Sequence, residues 1–301
     1  SNSAKTAKSS VRARTIPVLK TWRLWRLKNA DDFQTTLFVQ GRLKKKFNEF
    51  IGILIINAEH LMDKGKESYA GIPVQNTKEL VWQKIQDIPI SECGEPLVSV
   101  GNTGRIRVNP VYFSQGIEGA INTVLLRRSV ADRLTQVVSL LPEVYGLEIF
   151  DGWRPVIVQR ALRENMKQEI EKRHLEYDEV QVREALDCFA ADPDRAGMPL
   201  PHLTGGSVDV GLFDIRCGKS LDMGSEFDTT GHLSYSDALE KEGEYFSSAR
   251  NLRRILIHAM KEAGFSNLPT EWWHFDYGNQ NWAYFTQQSN AIFGAVEGQD
   301  T

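Results

Sequence analysis

Cysteine is scarce in this chain: Cys93, Cys188 and Cys217 are the only three in 301 residues. They form no CxxC pair, and an odd number makes a poor disulfide framework. Free, buried thiols are expected instead. Long apolar runs are also missing. The longest lies around Phe50 to Ala58, whereas a membrane-spanning helix needs about 20 apolar residues. Neither sign of charge dominates. The formal net charge is −3, which removes the electrostatic footprint expected of a nucleic-acid binder. No internal repeat is visible, and no HExxH helix, so the commonest zinc-peptidase pattern is absent. No signal peptide is apparent, and the chain starts at Ser1 without Met. The expected compartment is the cytoplasm, with the periplasm or secretion as the alternative if a leader has been removed.

What remains is ordinary for a globular protein: 41% hydrophobic and 25% charged residues, in a length that suits one large domain or two modest ones. Residues 1–14 are small, polar and basic, and are expected to be a disordered tail. Residues 15–87 read as an N-terminal helical extension. Within them Leu43, Phe47, Phe50, Ile51, Leu54, Ala58, Leu61 and Met62 recur at helical spacing over 42–63. Gly65 to Gly71 reads as a loop.

From residue 88 the texture changes. Short β-like runs at 97–100 and 147–150 flank a helical pattern at 127–142 that Pro142 ends. Helical patterns follow at 156–173 and 178–190. A strand is expected at 207–213, a long irregular insertion at 214–235, a helix at 247–263 closed by Gly264, and a last strand at 271–277. Strands interleaved with helices, without regular βαβ units, predict an α+β domain over 88–290. Its central sheet is expected to be mostly antiparallel and flanked by helices. Residues 291–301 are a C-terminal tail.

Three motifs carry chemistry. In PHLTGGSVDVGL, residues 201–212, the Gly205-Gly206 pair is a two-residue turn signal. A tight hairpin there sets His202 opposite Asp209, with Cβ atoms about 4.5–5.5 Å apart, close enough to share a metal. Val208, Val210 and Leu212 would face the core, and an acid in so apolar a strand needs a partner or a cation. In EWWHFDY, residues 271–277, aromatics favour a strand. Glu271 and His274 would then point to opposite faces, so Glu271 must reach the site from the preceding loop or through a bulge. In FDGWRP, residues 150–155, Arg154 stands after a strand and before Pro155, placed to stabilise an oxyanion or a carboxylate.

Two histidines and one carboxylate, His202, Asp209 and His274, make a three-ligand zinc set with a fourth position open to water. Glu271 beside it would act as general base on a water whose pKa the metal lowers from 15.7 to roughly 7. Taken alone, these residues leave a zinc hydrolase and an unrelated structural cluster both open.

Together with DMGSEFD at 222–228, the motifs FDGWRP, HLTGGSVDV and EWWHF occur in the order found in D-alanyl-D-alanine dipeptidases of the vancomycin-resistance (VanX) type. The resemblance covers roughly residues 88–285. It implies the α+β fold shared with zinc D,D-carboxypeptidases and Hedgehog-like domains, and one zinc per chain held by His202, Asp209 and His274. It further implies Glu271 as catalytic base, Arg154 as the arginine that stabilises the transition state, and Asp228 as the acid that binds the substrate ammonium. Leu200 stands where the family often has Ser, and Ser207 where Ala is usual. The implied function is hydrolysis of a small D,D-dipeptide such as D-Ala-D-Ala. A zinc carboxypeptidase or endopeptidase acting on peptidoglycan stem peptides is the near alternative. A zinc-bearing binding module without turnover is the distant one, and it would need neither Glu271 nor Arg154. His60, His174 and His258 are expected on helices away from the chemistry, and Trp272, Trp273 and Phe275 in the core.

Overall fold

Val208, Val210 and Leu212 recur at every second position, and the strand they form organises the protein. A computed structural model describes residues 69–297 apart from 77, 188 and 189. The tail at 1–14 and the helix expected at 42–63 lie outside the described residues. After a single 3-10 turn at Tyr69–Gly71, within the expected loop, come helix α1 (Trp82–Gln86), strands β1 (Leu97–Ser99) and β2 (Ile106–Val108), and the one-turn helix α2 (Val111–Ser114). Strand β3 (Leu125–Arg127) then runs into α3 (Arg128–Leu140), β4 (Tyr145–Asp151), α4 (Val156–Arg173) and α5 (Glu179–Asp187). The second half holds β5 (Ser207–Asp214), β6 (Lys219–Ser220), α6 (Ser247–Glu262), β7 (Ser266–Asn267), β8 (His274–Asp276) and α7 (Gln280–Thr286).

The main sheet has the order β2-β4-β5-β8-β7, with β6 added to the far end of β5. Only the β2–β4 pair is parallel. The fold is α+β with a mostly antiparallel sheet, as the interleaved pattern predicted. β5 is buried on both faces from Ser207 to Phe213, so its two polar members in that run, Ser207 and Asp209, must find partners inside the protein. The inward stripes of α3 (Val130, Leu134, Val137) and α6 (Leu256, Ile257, Met260) join Leu147, Ile149, Val208 and Val210 in one core. Each such side chain contributes roughly 1.5–3 kcal/mol by leaving water. Residues 69–87 pack on α6 and α7: Arg254 donates to the Ala70 carbonyl at 2.8 Å, and the Tyr284 hydroxyl to that of Glu79 at 2.9 Å.

Two expectations need correction. The Gly205-Gly206 pair does not close a hairpin. Residues Pro201–Thr204 form a 3-10 turn, capped by Gly205 at φ 68°. The Thr204 hydroxyl bonds back to the Pro201 carbonyl at 2.6 Å and accepts the Gly206 N–H at 3.0 Å. Gly206 is required for a different reason, since a Cβ there would sit 2.5 Å from the Tyr277 carbonyl. The edge of β5 is therefore free to pair with β8, and Asp209 lies opposite His274, not His202. The thiols of Cys93 and Cys217 are free but exposed, not buried, because both fall in surface connections.

Candidate active site

Three neighbouring strands bring the chemistry together. In the register of the sheet, Asp209 of β5 stands between Asp151 of β4 and His274 of β8. An irregularity at Phe150 shifts the β4 register and turns Asp151 toward this row. His202 comes from the 3-10 turn, which interlocks with the FDGWRP segment. The Arg154 N–H donates to the His202 carbonyl at 3.3 Å, and His202 Nδ1 donates to the Gly152 carbonyl at 2.8 Å. Because a carbonyl only accepts, that bond fixes the proton on Nδ1 and leaves Nε2 a bare lone pair. His274 is fixed the opposite way round. Its Nε2 donates to Asp276 Oδ1 at 3.1 Å, leaving the lone pair on Nδ1. Asp276 is fully buried and accepts from the Ser207 hydroxyl at 2.6 Å, Asn279 at 2.7 Å and Asn281 at 3.2 Å.

The two lone pairs face each other: His202 Nε2 and His274 Nδ1 are 3.1 Å apart. Asp209 adds its oxygens at 3.4 Å from His202 Nε2 and 3.1 Å from His274 Nδ1. All three residues are buried, and one donor atom from each lies within 4.8 Å of the others. Asp209 Oδ1 is buried and accepts no hydrogen bond. Converging lone pairs and an orphaned carboxylate oxygen are costly unless positive charge sits among them. Burial opposes charge on His274, yet Asp276 and Asp209 raise it well above the ordinary histidine range, so the pocket draws positive charge, a proton or a metal ion, to Nδ1. Burial likewise opposes charge on Asp209, but both histidines hold its carboxyl well below the ordinary carboxylate range. The donor set fits a divalent metal, and the bond from each ring's second nitrogen is the kind of outer support that metal-binding histidines have.

Glu271 reaches the cluster from a turn before β8, which resolves the face problem its spacing posed. Its N–H donates to the Leu268 carbonyl at 3.1 Å, and its own carbonyl accepts from Asn267 at 3.1 Å. The carboxylate lies 3.8 Å from His274 Nδ1, with its side chain 17% exposed. Burial raises its pKa to about 8. Arg154 closes the other side. Its guanidinium donates to Asp151 at 2.8 Å and Gln159 at 2.8 Å, and more loosely, at 3.4 Å each, to Tyr112 and Asp209. Asp228 stands at the cavity wall in left-handed backbone, φ 62°. It is open to the cavity but closely walled by protein, and burial there raises its carboxyl to about 6.

All six residues singled out in the sequence line one cavity, of about 70 Å³. Beyond Tyr112, Arg154, Gln159 and Asp228 it adjoins a larger one of about 710 Å³. Sequence reasoning missed Asp151, Tyr112, Gln159 and Asp276. Asp276 carried a signal: two residues from His274 on one strand, it had to share that residue's face. Tyr112 carried none. His232 stays outside, exposed and 3.3 Å from Glu242. His174 stacks on Tyr177 at the surface, and His258 meets the Ile72 carbonyl at 3.1 Å. Trp272, Trp273 and Phe275 are buried core residues.

The family model described as D-ala-D-ala dipeptidase, peptidase family M15, matches residues 115–292, more than half of the chain. The chain belongs to this family. A D-alanyl-D-alanine dipeptidase of Synechocystis is 30% identical over 70% of this chain and 95% of its own length. Dipeptidases of the same name from Streptomyces coelicolor and Enterococcus faecalis are 31% and 28% identical, each over 44% of this chain and 61% of their own length. As a member of this peptidase family the chain is a metallopeptidase, and His202, Asp209 and His274 are the residues suited to hold its metal. Among the described residues no helix is long and apolar enough to cross a membrane.

Proposed function

We propose that this protein is a zinc metallodipeptidase that hydrolyses a small D,D-dipeptide such as D-Ala-D-Ala, with one zinc per chain. The observation that carries the reading is the convergence of His202 Nε2, Asp209 and His274 Nδ1, with Glu271 beside them and Arg154 opposite in one cavity. Zinc held by these three residues supplies an acidified water and a Lewis acid for the scissile carbonyl. Glu271 is placed to take the proton of the attacking water and return it to the departing amine. The guanidinium of Arg154 is locked by Asp151 and Gln159, and its loosely bound end is available to the oxygen on which negative charge develops. Buried Asp276 keeps the His274 ring in its metal-binding tautomer.

Asp228 supplies the preference for a free dipeptide. Its carboxylate and the neighbouring Tyr112 hydroxyl offer acceptors for an α-ammonium. An N-acylated substrate lacks that charge and leaves the acid unmatched. Free D-Ala-D-Ala is expected to exceed N-acetyl-D-Ala-D-Ala in kcat/KM by about 10–100-fold, the range for a charged hydrogen bond. Asp228→Ala should lose the free dipeptide selectively. The 710 Å³ cavity beyond Asp228 favours a second reading, a zinc carboxypeptidase acting on longer stem peptides. Equal cleavage of the two substrates by the unaltered enzyme would decide for that reading. A cytoplasmic location is part of the proposal, and fractionation of the producing cells tests it.

A further inference from the structure

Arg253, on the inner face of α6, is 1% exposed. A buried cation is expected to meet a carboxylate, yet this one is in ion-pair contact with none of those described. All its bonds go to uncharged oxygens of one segment, 223–235. Nε donates to the Met223 carbonyl at 2.6 Å and Nη1 to that of Tyr235 at 2.9 Å. Nη2 donates to the Leu233 carbonyl at 2.8 Å and to the Ser225 hydroxyl at 3.3 Å. The segment leaves and returns to this one guanidinium, and at the crest of the arch stands Asp228 in its strained left-handed conformation.

The clamp also reaches the loop that carries Glu271. Trp272 Nε1 donates to the Ser225 hydroxyl at 2.9 Å, and the Trp272 backbone N–H to the Ser234 carbonyl at 2.9 Å. The Ser236 hydroxyl bonds to the Leu268 carbonyl at 3.1 Å. Arg253 lies over the Trp272 ring, 5.4 Å from its centroid. Burial lowers its pKa to about 9, so the charge is held at a cost. A planar fork of five donors meets four acceptors on one arch here, a geometry that an apolar side chain or the single ammonium of lysine cannot reproduce.

We propose that Arg253 is a positioning residue: with Ser225 it fixes the arch that presents Asp228 to the substrate ammonium and ties it to the loop bearing Glu271. The functional half of this inference rests on the role of Asp228 proposed above; the mechanical half does not. Two variants separate them, Arg253→Lys and the milder Ser225→Ala, both checked for metal content. Backbone amide exchange over residues 223–235 reads the clamp directly, and faster exchange confined to the arch is expected in both. Steady-state kinetics on free D-Ala-D-Ala read its consequence. KM should rise about tenfold while kcat changes far less, the signature of weakened binding of the substrate ammonium and not of the reacting groups. In the Asp228→Ala background neither variant should raise KM further, because the arch then has no carboxylate to place. Unchanged arch exchange in both variants, with KM unchanged, would overturn the proposal. So would an equal KM rise with and without Asp228. If the unaltered enzyme ignores the substrate ammonium, the reading of Asp228 fails by itself, and the exchange data then decide for or against the clamp.

Discussion

Glu271→Gln is expected to keep its metal and to lose about 10²–10⁴-fold in kcat, the contribution typical of a positioned general base. That corresponds to roughly 3–5 kcal/mol of barrier. The carboxylate lies 3.8 Å from His274 Nδ1, beside the ligand cluster but not part of the tight set formed by His202, Asp209 and His274. Its turn is held by Leu268 and Asn267, so an amide of the same shape keeps the backbone in place but cannot accept a proton. Burial raises Glu271 to about 8, and a cation held among the three ligands favours its ionised, proton-accepting form. Metal analysis beside the kinetics makes the outcome unambiguous. Loss of metal in the variant would make Glu271 a ligand, and full turnover would place the base elsewhere.

Arg154→Ala is expected to lower kcat by about 10²–10³-fold, the loss seen when one oxyanion donor is removed, with a smaller change in KM. Interactions made only as charge develops act on kcat, whereas those already present with bound substrate act on KM. The guanidinium is prepared for the first role. Its two short bonds, to Asp151 and Gln159, hold it rigid, while the 3.4 Å contacts to Tyr112 and Asp209 leave one end free to strengthen elsewhere. Burial works against its charge, but the carboxylates of Asp151, Asp209 and Asp228 favour it and hold its pKa above the ordinary arginine range. Arg154→Lys should recover little, since an ammonium cannot keep both short bonds and still donate into the cavity. An unchanged kcat with a raised KM would place Arg154 on the substrate carboxylate instead.

Periodicity carried the secondary structure well where elements are long. The α4 helix at 156–173 and the strand from residue 207 stand where they were expected: Pro155 sets the start of the helix, which buries little beyond Val158 and Gln159, and burial of Val208, Val210 and Leu212 sets the strand. The Gly205-Gly206 turn misled because two glycines have two possible uses. Here one supplies positive φ and the other a close approach to Tyr277, and neither need is visible until β8 is known to pair with β5. The site residues themselves were legible as motifs. What could not be read was their partnership across strands: Asp209 with His274, Asp151 beside both, and Tyr112 arriving from a four-residue helix far away in sequence. Arg253 carried no signal at all, since its acceptors are mostly backbone carbonyls of an irregular segment.

Zinc titration of chelator-stripped protein, followed by release of D-alanine from D-Ala-D-Ala, tests the central assignment most directly. Turnover should be absent without metal, rise in proportion to added zinc and break sharply at one equivalent per chain, while His274→Ala protein treated in the same way retains neither zinc nor turnover. Undiminished hydrolysis by the stripped protein, or full zinc occupancy in the His274→Ala variant, would contradict the account.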